Sequence, residues 1–127
     1  MASVAFFAMI EKVNLNDVPK KALNEIHGEK VLYQIVWRFT PKAGMLKAFK
    51  GVARLTVPPG ETNLMHNHVK EEQIYIVMTG SGEIQVGEER TLVGPGDVVY
   101  LPANFPHSFF NTGEKPAVIL NIGAGVA

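Results

Sequence analysis

Three of the four histidines in this chain, His66, His68 and His107, have a spacing that can close a metal site. On a β-strand, residues i and i+2 point to one face, so the imidazoles flanking Asn67 can reach a single ion together. Neutral imidazole is the commonest protein ligand for Zn, Cu, Fe and Ni. His107 follows a proline and a short apolar strand, which brings it in from a neighbouring strand. A lone His-x-His pair is more often two half-exposed polar residues, and the third histidine is what makes a ligand set. The fourth, His27, stands at the end of a predicted helix, where the dipole favours a charged imidazole, and reads as a surface cap.

The elements that must carry these histidines are mostly strands. Val31 to Phe39 is β-branched and aromatic, with Val31, Tyr33, Ile35, Trp37 and Phe39 on one face and a break at residues 40–44. Further strand signals cover Val52–Val57, Leu64–His68, Gln73–Met78, Glu83–Val86, Val98–Leu101, Ser108–Asn111 and Ala117–Ile122. Glycine and proline turns separate them at Pro58-Pro59-Gly60, Gly80-Ser81-Gly82, Gly94-Pro95-Gly96-Asp97 and Thr112 to Pro116. Asp17 to Gly28 is the exception. A capping aspartate, Pro19 in the first turn, an apolar stripe of Ala22, Leu23 and Ile26, and a terminal glycine predict a short N-terminal helix. Many short strands with little helix make an all-β sandwich or small barrel.

Composition limits the partners. The 127 residues make one domain, spanning 1–127, that can bury a core without disulfides. Twelve Lys+Arg balance twelve Asp+Glu with no basic run, which argues against nucleic acid or an anionic membrane surface. The absence of cysteine excludes disulfides and thiolate ligands. Met1 to Ile10 is mostly apolar but lacks a basic leader and is too short to span a bilayer, so a signal peptide is not expected and a cytoplasmic location is.

Two motifs now carry a family resemblance. Gly60, five residues, His66-Asn67-His68, four residues, Gln73, six residues and Gly80 resemble the first cupin motif, over 60–80. Gly96, five residues, Pro102, one residue, Asn104, two residues, His107, three residues and Asn111 resemble the second, over 96–111. Fifteen residues separate them, similar to the short spacer of compact microbial cupins. The resemblance implies a conserved β-barrel, or double-stranded β-helix of jelly-roll type. It also implies one divalent ion (Fe, Mn, Zn, Ni or Cu) held by His66, His68, His107 and a fourth ligand.

The chain departs from the family pattern twice. Asn104 stands where glycine is usual, and asparagine is the side chain that best tolerates the left-handed region. Gln73 occupies the usual carboxylate ligand position, directly after Glu71 and Glu72. As the fourth ligand it would bind through its amide oxygen, and an all-neutral donor set would leave the ion its full positive charge. A one-residue slip would put Glu72 inward instead. Alternation opposes that, because Gln73, Tyr75 and Val77 share one face while Ile74, Ile76 and Met78 share the other.

The remaining candidates are less specific. Arg54 would grip a substrate carboxylate if it points inward, and is otherwise an exposed strand arginine. Tyr75, Phe105 and Phe109 neighbour the ligand positions and are cavity candidates, whereas Tyr33, Trp37 and Phe39 read as core. Glu71 and Glu72 read as solvated turn residues, with one of them as the alternative general base; Asn111 reads as a backbone tie. Two functions follow. One is a metal-dependent enzyme acting on an oxygen-rich or carboxylate small molecule, by sugar-acid isomerase or lyase-like or dioxygenase-like chemistry, with Arg54, Tyr75 and Glu72 as catalytic candidates. The other is a barrel that binds or senses a small ligand without turnover. A homodimer is expected, aided by an N-terminal segment whose two faces are both apolar; alternatively Met9 is the functional start.

Overall fold

Period-two burial runs through the long strands and divides every one of them into an inner and an outer face. In the computed structural model, which describes residues 10–23, 28–38, 45–66 and 68–126, nine strands are present. They are β1 (Leu32–Val36), β2 (Phe49–Val57), β3 (Thr62–His66), β4 (Glu71–Thr79), β5 (Gly82–Val86), β6 (Glu89–Val93), β7 (Val98–Leu101), β8 (His107–Phe110) and β9 (Ala117–Gly125). A five-stranded sheet in the order β1-β2-β9-β4-β7 faces a four-stranded sheet in the order β3-β8-β5-β6. Every pairing is antiparallel. The expected all-β jelly roll is therefore present.

One end of the sandwich is filled and the other is open, because the inward rows shrink along the strands. Leu55 and Val77 flank Ile119 in one register row of β2, β9 and β4. In the next inward row, Ala53 and Tyr75 flank Asn121, and in the third, Gly51 and Gln73 flank Gly123. The first row joins Val57, Ala117, Ile84, Leu101 and Phe109 in the buried core. The glycine and alanine rows leave space, which becomes the cavity described below.

The turns behave as their residues require. Gly60 and Gly80 take positive φ (77° and 76°), and Asn104 takes φ 61°, the left-handed conformation expected of it. Asn111 ties the closed end: its Nδ2 donates to the Val57 and Lys115 carbonyls, and its Oδ1 accepts from the Gly113 amide.

The helix expected from Asp17 to Gly28 is not formed in its described part. Leu15–Asp17 is a 3-10 turn capped by Asn14, Val18 is extended, and Lys21 pairs with Tyr33 as a β-bridge. Tertiary contacts override the local signals. Gln34 Nε2 donates to the Leu15 and Val18 carbonyls, pinning the segment across the outer face of β1. Strand β6 is absent from the sequence-based strands; it is polar, mostly exposed and at the sheet edge, joined to β5 by the tight Gly87-Glu88 turn. The expected N-terminal strand, His27, Phe39 and the 40–44 break lie outside the described residues. No helix among the described residues is long and apolar enough to cross a membrane.

Candidate metal centre

His66 and His107 meet because they are register partners across β3 and β8. Each ends the strand nearest the open rim: His66 closes β3 and His107 opens β8. His68 arrives differently from the expected strand alternation. It lies beyond the end of β3, in the connection to β4, where its carbonyl accepts from the Asn104 amide at 2.7 Å. The left-handed Asn104 thus helps hold the His68 loop in place. The three imidazoles converge, with ring centroids 4.4 to 5.7 Å apart. One ring nitrogen from each lies within 4.8 Å of the others.

Their chemical state suits ligation. His66 Nδ1 lies 2.6 Å from the Leu64 carbonyl, which can only accept, so Nδ1 carries the proton and Nε2 keeps its lone pair. Burial holds the His66 imidazole below the ordinary histidine pKa, against the Leu64 contact that would raise it. Burial does the same to His68, reinforced by His66 and Arg38 and opposed by Glu71. Both rings therefore favour the neutral, ligating form.

Gln73 faces inward on β4 and is 3% exposed. Its Nε2 donates to Glu71 Oε2 at 2.8 Å, and its Oε1 is buried without a hydrogen-bond partner among the described residues. A buried, unsatisfied amide oxygen is costly unless something binds it. In a cavity shared with His66 and His68, a cation fits that requirement. Glu72 points to the outer face, where its Oε1 accepts from the Tyr100 hydroxyl at 2.8 Å, so no register slip brings it into the cavity.

Two charged residues are placed otherwise than expected. Arg54 lies on the outer face, with Nε donating to Gln34 Oε1 and Nη2 to Asn16 Oδ1, and does not line the cavity. Its register partner is Gln34, whose side chain is covered by the N-terminal segment. The cavity arginine is Arg38. Trp37 has φ 67°, and this left-handed residue ends β1 and resets the alternation, so Arg38 joins Tyr33 and Ile35 at the cavity wall. Glu71 is no solvated turn residue: it is 7% exposed and accepts from Arg38 Nη2 at 2.8 Å and Nη1 at 3.3 Å.

The cavity encloses about 260 Å³, its walls completed by Leu23, Val52, Ala53, Tyr75 and Asn121. Tyr75 accepts from Asn63 Nδ2 at 3.4 Å, and burial raises its hydroxyl pKa well above the usual range. It therefore keeps its proton. Phe109 is in the core and Phe105 is exposed, so neither is a cavity wall.

An antiparallel two-sheet barrel with imidazoles converging at its open end defines a class of protein. A family model for the cupin domain matches residues 53–123, and the chain belongs to this family. An uncharacterized protein of Methanocaldococcus jannaschii is 37% identical over 76 residues, 57% of this chain, and the match spans 61% of that relative's length. A predicted oxalate decarboxylase from Thermotoga maritima superimposes with a TM-score of 0.79 at 23% identity, covering 91% of this chain and 100% of its own. The polyketide cyclase RemF from Streptomyces resistomycificus gives 0.72 at 24% identity, over 94% and 81% of the two chains. At these identities the two structural likenesses are likenesses of fold.

Proposed function

We propose that this cupin is a metal-dependent enzyme acting on a small carboxylate or oxygen-rich substrate, with His66, His68, His107 and Gln73 Oε1 holding one divalent ion. The single observation that carries this reading is the buried Gln73 oxygen, without a partner among the described residues, in the cavity that His66 and His68 line. Such an ion supplies Lewis acidity and, when it is redox-active, oxygen chemistry.

The chain's own residues support an anionic substrate. Arg38 and Glu71 neutralise each other, and the imidazoles and amide are neutral ligands, so the metal charge is unopposed within its shell. At about 260 Å³ the cavity falls just below the usual size of small-molecule sites, about 300 to 1,000 Å³, and suits a small ligand. The Tyr75 hydroxyl would donate to a substrate oxygen, while Ile35, Val52 and Leu23 would take an apolar edge and exclude water. The fold likeness to a predicted oxalate decarboxylase and a polyketide cyclase is compatible with carboxylate or carbonyl chemistry.

A second reading, binding without turnover, is favoured by one feature. Arg38 already engages the Glu71 carboxylate, which leaves the cavity poor in groups suited to act as a base. A screen of sugar acids, dicarboxylates and aromatic diols against Mn²⁺- and Fe²⁺-loaded protein, read by NMR for binding and conversion, tests both readings. Conversion of a metal-dependent ligand supports the enzyme, and tight metal-dependent binding with no conversion supports the module. Ligand binding indifferent to metal overturns the proposed site.

A further inference from the structure

Gln73 poses a problem that its own side chain cannot solve. A carboxamide has two ends of nearly equal shape, one an acceptor and one a donor, and only the acceptor can ligate a cation. Something must choose between them. On the same inward face of β4, two residues earlier, Glu71 places Oε2 2.8 Å from Gln73 Nε2. A carboxylate paired with a guanidinium can only accept, so it takes the NH₂ end and leaves Oε1 as the unbound atom.

The carboxylate is itself fixed on two sides. Arg38 holds both of its oxygens, in the forked geometry that specifies orientation as well as charge. Below it, β9 contributes Gly123, the register partner of Gln73. A Cβ at Gly123 would stand 2.7 Å from Glu71 Oε2 and 3.1 Å from its Cδ, so a glycine there is what admits the carboxylate. Arg38 could instead be a clamp for a substrate carboxylate. Its two Nη atoms both donate to Glu71, which favours the internal role.

We propose that Arg38, Glu71 and Gly123 form a positioning device that orients the Gln73 carboxamide with its oxygen toward the metal. The device compensates for the loss of a carboxylate ligand: a glutamate at 73 would need no orienting, and a glutamine does. The inference rests on the metal reading above and goes beyond it in assigning a positioning role to three residues outside the ligand set. Partners that orient a ligand in this way affect metal affinity by about 10- to 100-fold when removed.

The test is a double-mutant cycle read by cobalt(II) titration of metal-free protein, by calorimetry and by the visible absorption of bound Co²⁺, with thermal melts alongside. Glu71→Gln should weaken Co²⁺ by about 10- to 100-fold in the parent background and have no effect in a Gln73→Leu background. Gly123→Ala, which leaves the Glu71 charge in place and crowds only its position, should weaken Co²⁺ in the same direction and show the same dependence on Gln73; it carries the cycle if Glu71→Gln does not fold. Equal losses in both backgrounds, or no loss in the parent, overturn the device while leaving the metal site standing. A parent that binds no Co²⁺ overturns the metal reading and the device with it.

Discussion

At the scale of single residues, the proposed ligand set turns on Gln73. Replacing it by glutamate puts a second carboxylate beside that of Glu71, where Nε2 and Oε2 are now 2.8 Å apart. The Gln73→Glu protein should therefore melt at a lower temperature than the parent without metal, and bind divalent metal more tightly, because an anionic oxygen replaces a neutral one. Gln73→Leu should weaken metal while the barrel stays folded. Calorimetric metal titration and melts with and without chelator check both, and parent-like affinity in the two variants would remove Gln73 from the ligand set. The buried imidazoles give a second expectation. With pKa values lowered in the fold, His66 and His68 take up protons more readily in the unfolded chain. Metal-free protein should thus lose stability as pH falls through about 6.5 and below, and His66→Ala/His68→Ala should flatten that dependence in urea melts. A stability unchanged between about pH 7.5 and 5.5 would contradict the burial of these rings.

At the scale of the elements, the graded inward rows of β2, β9 and β4 decide where the cavity lies, and the turns decide what reaches it. Gly80 shows how little freedom the closed end has: a Cβ there would meet the Pro116 carbonyl oxygen at 2.5 Å and Ala117 Cα at 2.7 Å, at φ 76°. Gly80→Ala should cost more than about 1 kcal/mol in urea unfolding, since neither the backbone angle nor the neighbouring backbone can yield cheaply. Most of this layer was legible in the sequence. Alternation gave the inward face of β4, glycine–proline turns bounded the strands, and the two cupin motifs pointed to His66, His68 and His107, which the structure brings together. Arg38 was hidden because one left-handed residue, Trp37, breaks the alternation that would have excluded it. Glu71 looked solvated beside Lys70 and Glu72, since its burial depends on an arginine thirty-three residues away. The N-terminal segment carried helix signals, yet Gln34 and Tyr33 capture its backbone from the side, a contact that no local pattern encodes.

At the scale of the whole molecule, the five-stranded sheet leaves apolar side chains in water. Ile74 and Met78 on β4, and Val98 and Tyr100 on the edge strand β7, are all exposed on its outer side, with Ile74 opposite Tyr100 in the register. Exposed apolar side chains beside an unpaired sheet edge suit an isologous contact with a second copy. Light scattering should give a dimer, and Ile74→Glu combined with Val98→Glu should give a monomer that keeps its metal affinity. Deleting residues 1–8 separates their contribution from that of the sheet face, and a truncated dimer with an unchanged melting temperature would remove any role for them. The central claim concerns the open end of the barrel, and metal content tests it most directly. Elemental analysis after loading and desalting should find stoichiometric divalent metal in the parent and none in His66→Ala/His107→Ala; full metal content in that double variant would contradict the account.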